Sequence, residues 1–271
     1  MSLLADGLLI SSLIVACYLY SKGWRRSRRS GSGGPVRLPN AMSFVVGALV
    51  LASALIGPIH GWSEHSLAGH MTQHLMLLVS PLLFVAGRPM TGLSLGLDPA
   101  IRGRVARVVM PLRRSRVGGL ASRPMAVTLL IVTVGAWHLP ALFDLTLRSD
   151  AVHALEHVCF FAAAALYWHS LIGEGSRRAQ HRGPALVSVF TVMLAGTAFG
   201  ALLTFARTPW YPGHSRLATA AGLDWLTDQQ LAGLVMWVPT SIILLIVFLW
   251  LAGTWLSALE KSDALGYGTS P

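Results

Sequence analysis

Seven apolar runs, each long enough to cross a bilayer, dominate this chain: residues 3–20, 41–59, 70–87, 124–143, 152–172, 184–205 and 226–256. A membrane-spanning helix needs about 20 such residues. In hydrocarbon every backbone N–H and C=O must find its partner within the protein, so runs of this length fold as helices. Only 12% of the residues are charged, about half the share of a soluble domain. The chain reads as one all-α polytopic membrane bundle of seven transmembrane helices, a single domain over residues 1–271. The first run has no basic region before it and its charges follow it, which makes it a span rather than a signal peptide. The last run is long enough to tilt or to pass beyond the bilayer.

The charges between the runs alternate. Lys22, Arg25, Arg26, Arg28, Arg29 and Arg37 lie between runs one and two. Arg88, Arg102, Arg104, Arg107, Arg113, Arg114, Arg116 and Arg123 lie between three and four. Arg177, Arg178 and Arg182 lie between five and six, and Lys261 follows run seven. The other loops carry only Arg148, Arg207 and Arg216. Basic loops stay cytoplasmic, so the N-terminus is expected outside and the C-terminus in the cytoplasm. A formal net charge of +10 then reflects topology and anionic lipid headgroups, not nucleic acid. The Ser30–Gly34 stretch reads as a flexible linker, and Leu97–Val117 as a short basic helix on the inner surface. Cys17 and Cys159 both fall in apolar runs, which excludes a disulfide framework.

On this topology His60, His65, His70, His74, His138, His153, His157 and His214 gather toward the outer face, and only His169 and His181 toward the inner. Polar groups at membrane depth are costly and usually face the bundle interior to serve function. His70 and His74 are four apart in run three, and so are His153 and His157 in run five. Residues at that spacing share a helix face one turn apart. Both runs enter from the outer side, so the two pairs can lie at similar depth on parallel helices. Such convergence points to a metal or haem site. Imidazole suits copper, zinc, iron and nickel, and thioether sulfur favours Cu(I). His70, His74, His153 and His157 are the primary ligand candidates. Asp228, Met71, His60 and His138 are weaker ones, and Met236 lies two turns into run seven. Glu156 or His138 could orient an imidazole through its free ring N–H. His65 and His214 read as loop residues, and His169 as an interfacial residue beside Trp168.

His70-Met71-Thr72-Gln73-His74 is followed by Pro81-Leu82-Leu83 and Gly87-Arg88-Pro89. Trp137-His138-Leu139-Pro140, His153-Ala154-Leu155-Glu156-His157, Asp228-Gln229-Gln230-Leu231-Ala232-Gly233 and Met236-Trp237 come after in order. This ordered set, over about residues 45 to 255, resembles the CtaG-type assembly factors of caa-type cytochrome c oxidases. The resemblance implies a seven-span protein of the bacterial inner (plasma) membrane that matures haem-copper oxidases by handling copper. Its implied partners are an oxidase subunit, with subunit I foremost, or a copper chaperone. It does not assign His60 or His65. From the residues themselves two other functions stay open: a b-type haem subunit for electron transfer, with haem b between imidazoles of two helices, or a copper transporter. No HExxH and no nucleophile–base motif occurs, so an enzyme is not expected.

Overall fold

The computed structural model describes residues 3–29, 34–114, 122–173 and 182–266. The regular elements among them are all helices: α1 (Leu3–Arg29), α2 (Leu38–Leu55), α3 (Pro58–Ser63), α4 (Leu67–Ala86), α5 (Pro89–Gly96) and α6 (Pro99–Arg114) come first. They are followed by α7 (Arg123–Trp137), α8 (Pro140–Arg148), α9 (Asp150–Ile172), α10 (Arg182–Thr204), α11 (Pro212–Ala220) and α12 (Trp225–Gly266). Six helical stretches are long and apolar enough to cross a membrane, and the bent pair α7–α8 makes a seventh if counted as one span. Of the basic helix expected over Leu97–Val117, α6 covers Pro99–Arg114, and residues 115–117 lie outside the described residues. Most of the Ser30–Gly34 linker, together with Arg177, Arg178 and His181, lies outside the described residues.

The fourth apolar run departs from expectation. A continuous span over residues 124–143 was the reading, but the helix stops at Trp137 and restarts at Pro140 after a 70° bend. Pro140 has no N–H to continue the ladder, and its ring disfavours helical geometry at Leu139. Fifteen residues of α7 reach only about 22 Å, short of a hydrocarbon core of about 30 Å. The bend turns α8 across the end of the bundle and leaves His138 at the corner.

Burial is inverted relative to a soluble protein. Leu8, Ile14, Leu49, Val158, Leu194 and Ile246 are exposed, whereas His70, Gln73, Glu156 and Asp228 are buried. Outward apolar side chains suit lipid, and inward polar ones need partners or a purpose. Helix α4 is the central stave, touching α2, α3, α9 and α12. Helices α10 and α12 run closely together. A Cβ on Gly233 would strike Thr204 and the Gly200 carbonyl, so small residues set that approach. Leu77, Phe160, Tyr167 and Trp168 fill the middle of the bundle.

At the end where the arginines cluster, polar side chains close off helix termini. Tyr20 donates its hydroxyl to the Gly87 carbonyl at 2.5 Å, and Asn40 donates to the Ala86 carbonyl at 2.8 Å. Arg26 reaches the carbonyls of Leu95 and Leu97 at 2.6 and 2.8 Å, and Arg88 that of Pro35 at 2.8 Å. The last C=O groups of a helix have no partner within it, and Tyr20, Asn40 and Arg26 supply one, whereas Arg88 ties down the segment ahead of α2.

Candidate metal centre

At the opposite end, α4 begins with a polar lock. The Ser66 hydroxyl accepts from the Gly69 N–H at 3.1 Å, a standard N-cap. The Asp228 carboxylate, coming from α12, accepts from the Leu67 N–H at 2.6 Å, the Ala68 N–H at 3.2 Å and the Ser66 hydroxyl at 2.6 Å. Three donors at one helix start hold this carboxylate in place. The structure therefore gives Asp228 a role other than the metal ligand expected from sequence: it fixes the rotation and depth of α4. Gln73 secures the next turn, donating to the Ala54 carbonyl at 2.8 Å and lying 3.2 Å from His60 Nδ1.

Held in that orientation, α4 turns His70 and His74 inward, 2% and 3% exposed. Helix α9, capped by Ser149 on the Val152 N–H, presents His153, Glu156 and His157 to the same interior. The two helices run parallel and in register. His70 and His153 rings stack at 5.3 Å, and His74 and His157 rings lie 5.8 Å apart. Within each pair the rings are 4.2 and 4.3 Å apart. The similar depth expected of two pairs on parallel helices is what the bundle builds.

Glu156 stands in the middle of these imidazoles, fully buried. Its Oε2 lies 3.9 Å from His70 Nε2 and 3.6 Å from His74 Nε2. Two groups of potential donors result, His70–His74–Glu156 and His153–Glu156–His157, each with its ligating atoms within 4.8 Å of one another. Both Glu156 oxygens, both His74 nitrogens and Nε2 of His70, His153 and His157 have no hydrogen-bond partner among the described residues. Buried polar atoms are almost always bonded, and a bare buried carboxylate is costly. A divalent or monovalent metal cation would satisfy carboxylate and imidazoles together. Metal–nitrogen and metal–oxygen bonds of about 2.0–2.2 Å require the donors to close by about an ångström, within reach of side-chain rotation. The donor set of imidazole and carboxylate fits a first-row transition metal.

The remaining sequence candidates separate. His60 sits behind α4: its Nδ1 faces the Gln73 amide and its Nε2 lies 3.9 Å from Glu64, so both ring nitrogens are directed to protein groups. His65 is exposed. Met71 is buried, with its sulfur 3.3 Å from His138 Nε2. Met236 lies deeper, lining an apolar cavity with Leu75, Val134, Phe199 and Thr240. Two residues exceed their sequence reading. Glu156 was expected to orient an imidazole and instead occupies the centre of the cluster. His214, read as a loop residue, is buried on α11 with its ring 6.3 Å from His70. Burial pushes its imidazole below the ordinary histidine range, and the Asp228 carboxylate opposes that shift. A carboxylate between histidines of an apolar helix was a visible signal for Glu156. For His214 the signal was only its place on the outer face with the other histidines.

The family model of the cytochrome c oxidase caa3 assembly factor, Caa3_CtaG, matches residues 18–258. The chain belongs to this family. The resemblance drawn from the ordered motifs is thereby confirmed. Curated relatives include an uncharacterised protein of Mycobacterium bovis and one of Mycobacterium tuberculosis, each 27% identical over 263 residues. An uncharacterised protein of Mycobacterium leprae is 26% identical over 264 residues. Each alignment covers 92% of this chain but only 39% of the relative, so the chain spans about two fifths of the length of these curated relatives. No solved structure matches.

Proposed function

We propose that this Caa3_CtaG-family membrane protein binds copper in the centre around Glu156 and delivers it to a haem-copper oxidase, with subunit I or a copper chaperone as the partner. The observation that carries this reading is a fully buried carboxylate with unpartnered oxygens among the imidazoles of His70, His74, His153 and His157. Membership of an oxidase assembly family supports copper over the other metals such a set accepts. The positive-inside alternation supports placing the centre on the extracytoplasmic side of a bacterial plasma membrane. Histidine and carboxylate ligands exchange more readily than a closed thiolate cage, which suits delivery rather than storage.

Nothing in this reading needs catalysis, and the chain acts as a chaperone rather than an enzyme. Haem b fits the site less well. Axial imidazoles must face each other across a flat macrocycle, whereas His70 and His153 rings stack directly at 5.3 Å. Phe143 and Phe160 pack against His70 and His74 at 5.1 and 4.6 Å, where a macrocycle would have to lie.

The test is copper analysis of the purified protein together with its optical spectrum. Copper should co-purify or reconstitute at a fixed ratio and be lost in His74→Ala and His157→Ala. An unchanged ratio in both variants would sink the assignment, and a Soret band would decide for haem.

A further inference from the structure

His138 and Met71 meet in a way that hydrogen bonding does not explain. His138 caps the end of α7, and its Nδ1 lies 2.7 Å from the Val134 carbonyl oxygen. A carbonyl only accepts, so Nδ1 carries the ring proton of the neutral imidazole. Its Nε2 is then a lone pair. That lone pair lies 3.3 Å from Met71 Sδ, a thioether that also has no proton to give. Two electron-rich atoms from different helices are held face to face, with Met71 only 1% exposed.

A soft cation is the partner both atoms share. Metal–nitrogen bonds of about 2.0 Å and metal–sulfur bonds of about 2.3 Å place such ligands about 3.5 Å apart on a tetrahedral ion. The observed 3.3 Å is close to that separation, and a small rotation of the ring and the thioether would turn both lone pairs to a common ion. Thioether sulfur selects Cu(I) among the biological first-row ions, and imidazole accepts it. His74 supplies a third donor nearby: its ring lies 5.9 Å from that of His138, and neither of its nitrogens is bonded. It sits one turn from Met71 on α4 and also borders Glu156.

We infer that Met71, His138 and His74 form a second, Cu(I)-selective site, adjoining the imidazole–carboxylate centre and sharing His74 with it. The bend before Pro140 has a use on this account: it stops α7 at the depth where His138 can reach Met71. The inference rests on copper being the cargo, as proposed above, but it concerns different atoms.

The experiment uses the full chain in detergent, titrated with Cu(I) under reducing, anaerobic conditions and separately with Zn(II). Two variants are compared. Met71→Leu keeps the volume and removes the sulfur. His138→Asn keeps an N–H where Nδ1 donates to Val134 and removes Nε2. Removing a direct ligand should cost at least what removing a supporting group does, so Cu(I) affinity should fall by about tenfold or more in both. Zn(II) affinity should stay close to that of the parent. X-ray absorption of the Cu(I)-loaded parent should show a sulfur neighbour that disappears in Met71→Leu, which separates it from Cys17 and Cys159. Unchanged Cu(I) affinity in both variants, or a sulfur neighbour that persists in Met71→Leu, would overturn the inference. Nitrogen and oxygen neighbours alone in the parent would also overturn it, while leaving the Glu156 centre standing. Loss of the sulfur signal in Met71→Leu, with His157→Ala unaltered in copper content, would uphold this site and count against the other.

Discussion

The two ends of the bundle treat polar groups in opposite ways. At the arginine end Tyr20, Arg26, Asn40 and Arg88 each donate to a backbone carbonyl, which closes the ends of α4 and α5 and pins the segment ahead of α2. At the histidine end the polar atoms of Glu156, His70, His74, His153 and His157 converge and lack hydrogen-bond partners. Polarity at membrane depth is therefore not itself a sign of function. Satisfied polar groups hold the fold, and unsatisfied ones that converge are left for a ligand. Asp228 illustrates the distinction, since it lies at the histidine end yet accepts from three donors of a neighbouring helix start.

The strongest test of this contrast is Glu156→Gln. Copper affinity should drop by about tenfold or more, measured by competition with a chromophoric chelator. The metal-free variant should at the same time unfold at a higher temperature than the metal-free parent, because a buried unpaired carboxylate has been neutralised. A structural Glu156 would give the opposite thermal shift. Next comes Asp228→Ala, which strands the Leu67 and Ala68 N–H groups. It should cost about 1–3 kcal/mol in a denaturation assay and weaken copper binding by the folded fraction less than Glu156→Gln does. Loss of copper from well-folded protein would erase the boundary between the two roles. Tyr20→Phe, at the far end, should cost about 1 kcal/mol and leave copper binding untouched.

The smallest effect belongs to Asp224, ahead of α12. Hydrogen bonds from the Thr227 hydroxyl at 2.6 Å and N–H at 2.9 Å hold its carboxyl below the usual aspartate range. A depressed carboxyl contributes stability that is present above its unfolded pKa and fades as pH falls through the folded value. Comparing parent and Asp224→Asn melting curves from neutral to acid pH should show a slight difference at neutrality that closes on acidification.

Much of this was legible before any coordinates. The apolar runs named the spans, and the spacing of His70 with His74 and His153 with His157 placed four imidazoles on two helix faces. The break of the fourth span was written in Pro140 but masked by apolar residues on both sides. The role of Asp228 was not legible, because a carboxylate at a helix mouth looks the same whether it will hold a metal or cap a neighbour. His214 lies on a short helix between spans, far along the chain from the pairs it joins. The contact of Met71 with His138 crosses 67 residues and depends on where α7 stops.

What the amino-acid order determined by itself is a set of helices and the faces that carry imidazole, since both follow from hydropathy and a period of 3.6 residues. Only the tertiary structure decided which polar atoms keep a free lone pair. That depends on whether a donor from another helix arrives first, as Ser66, Leu67 and Ala68 do for Asp228 and as none does for Glu156.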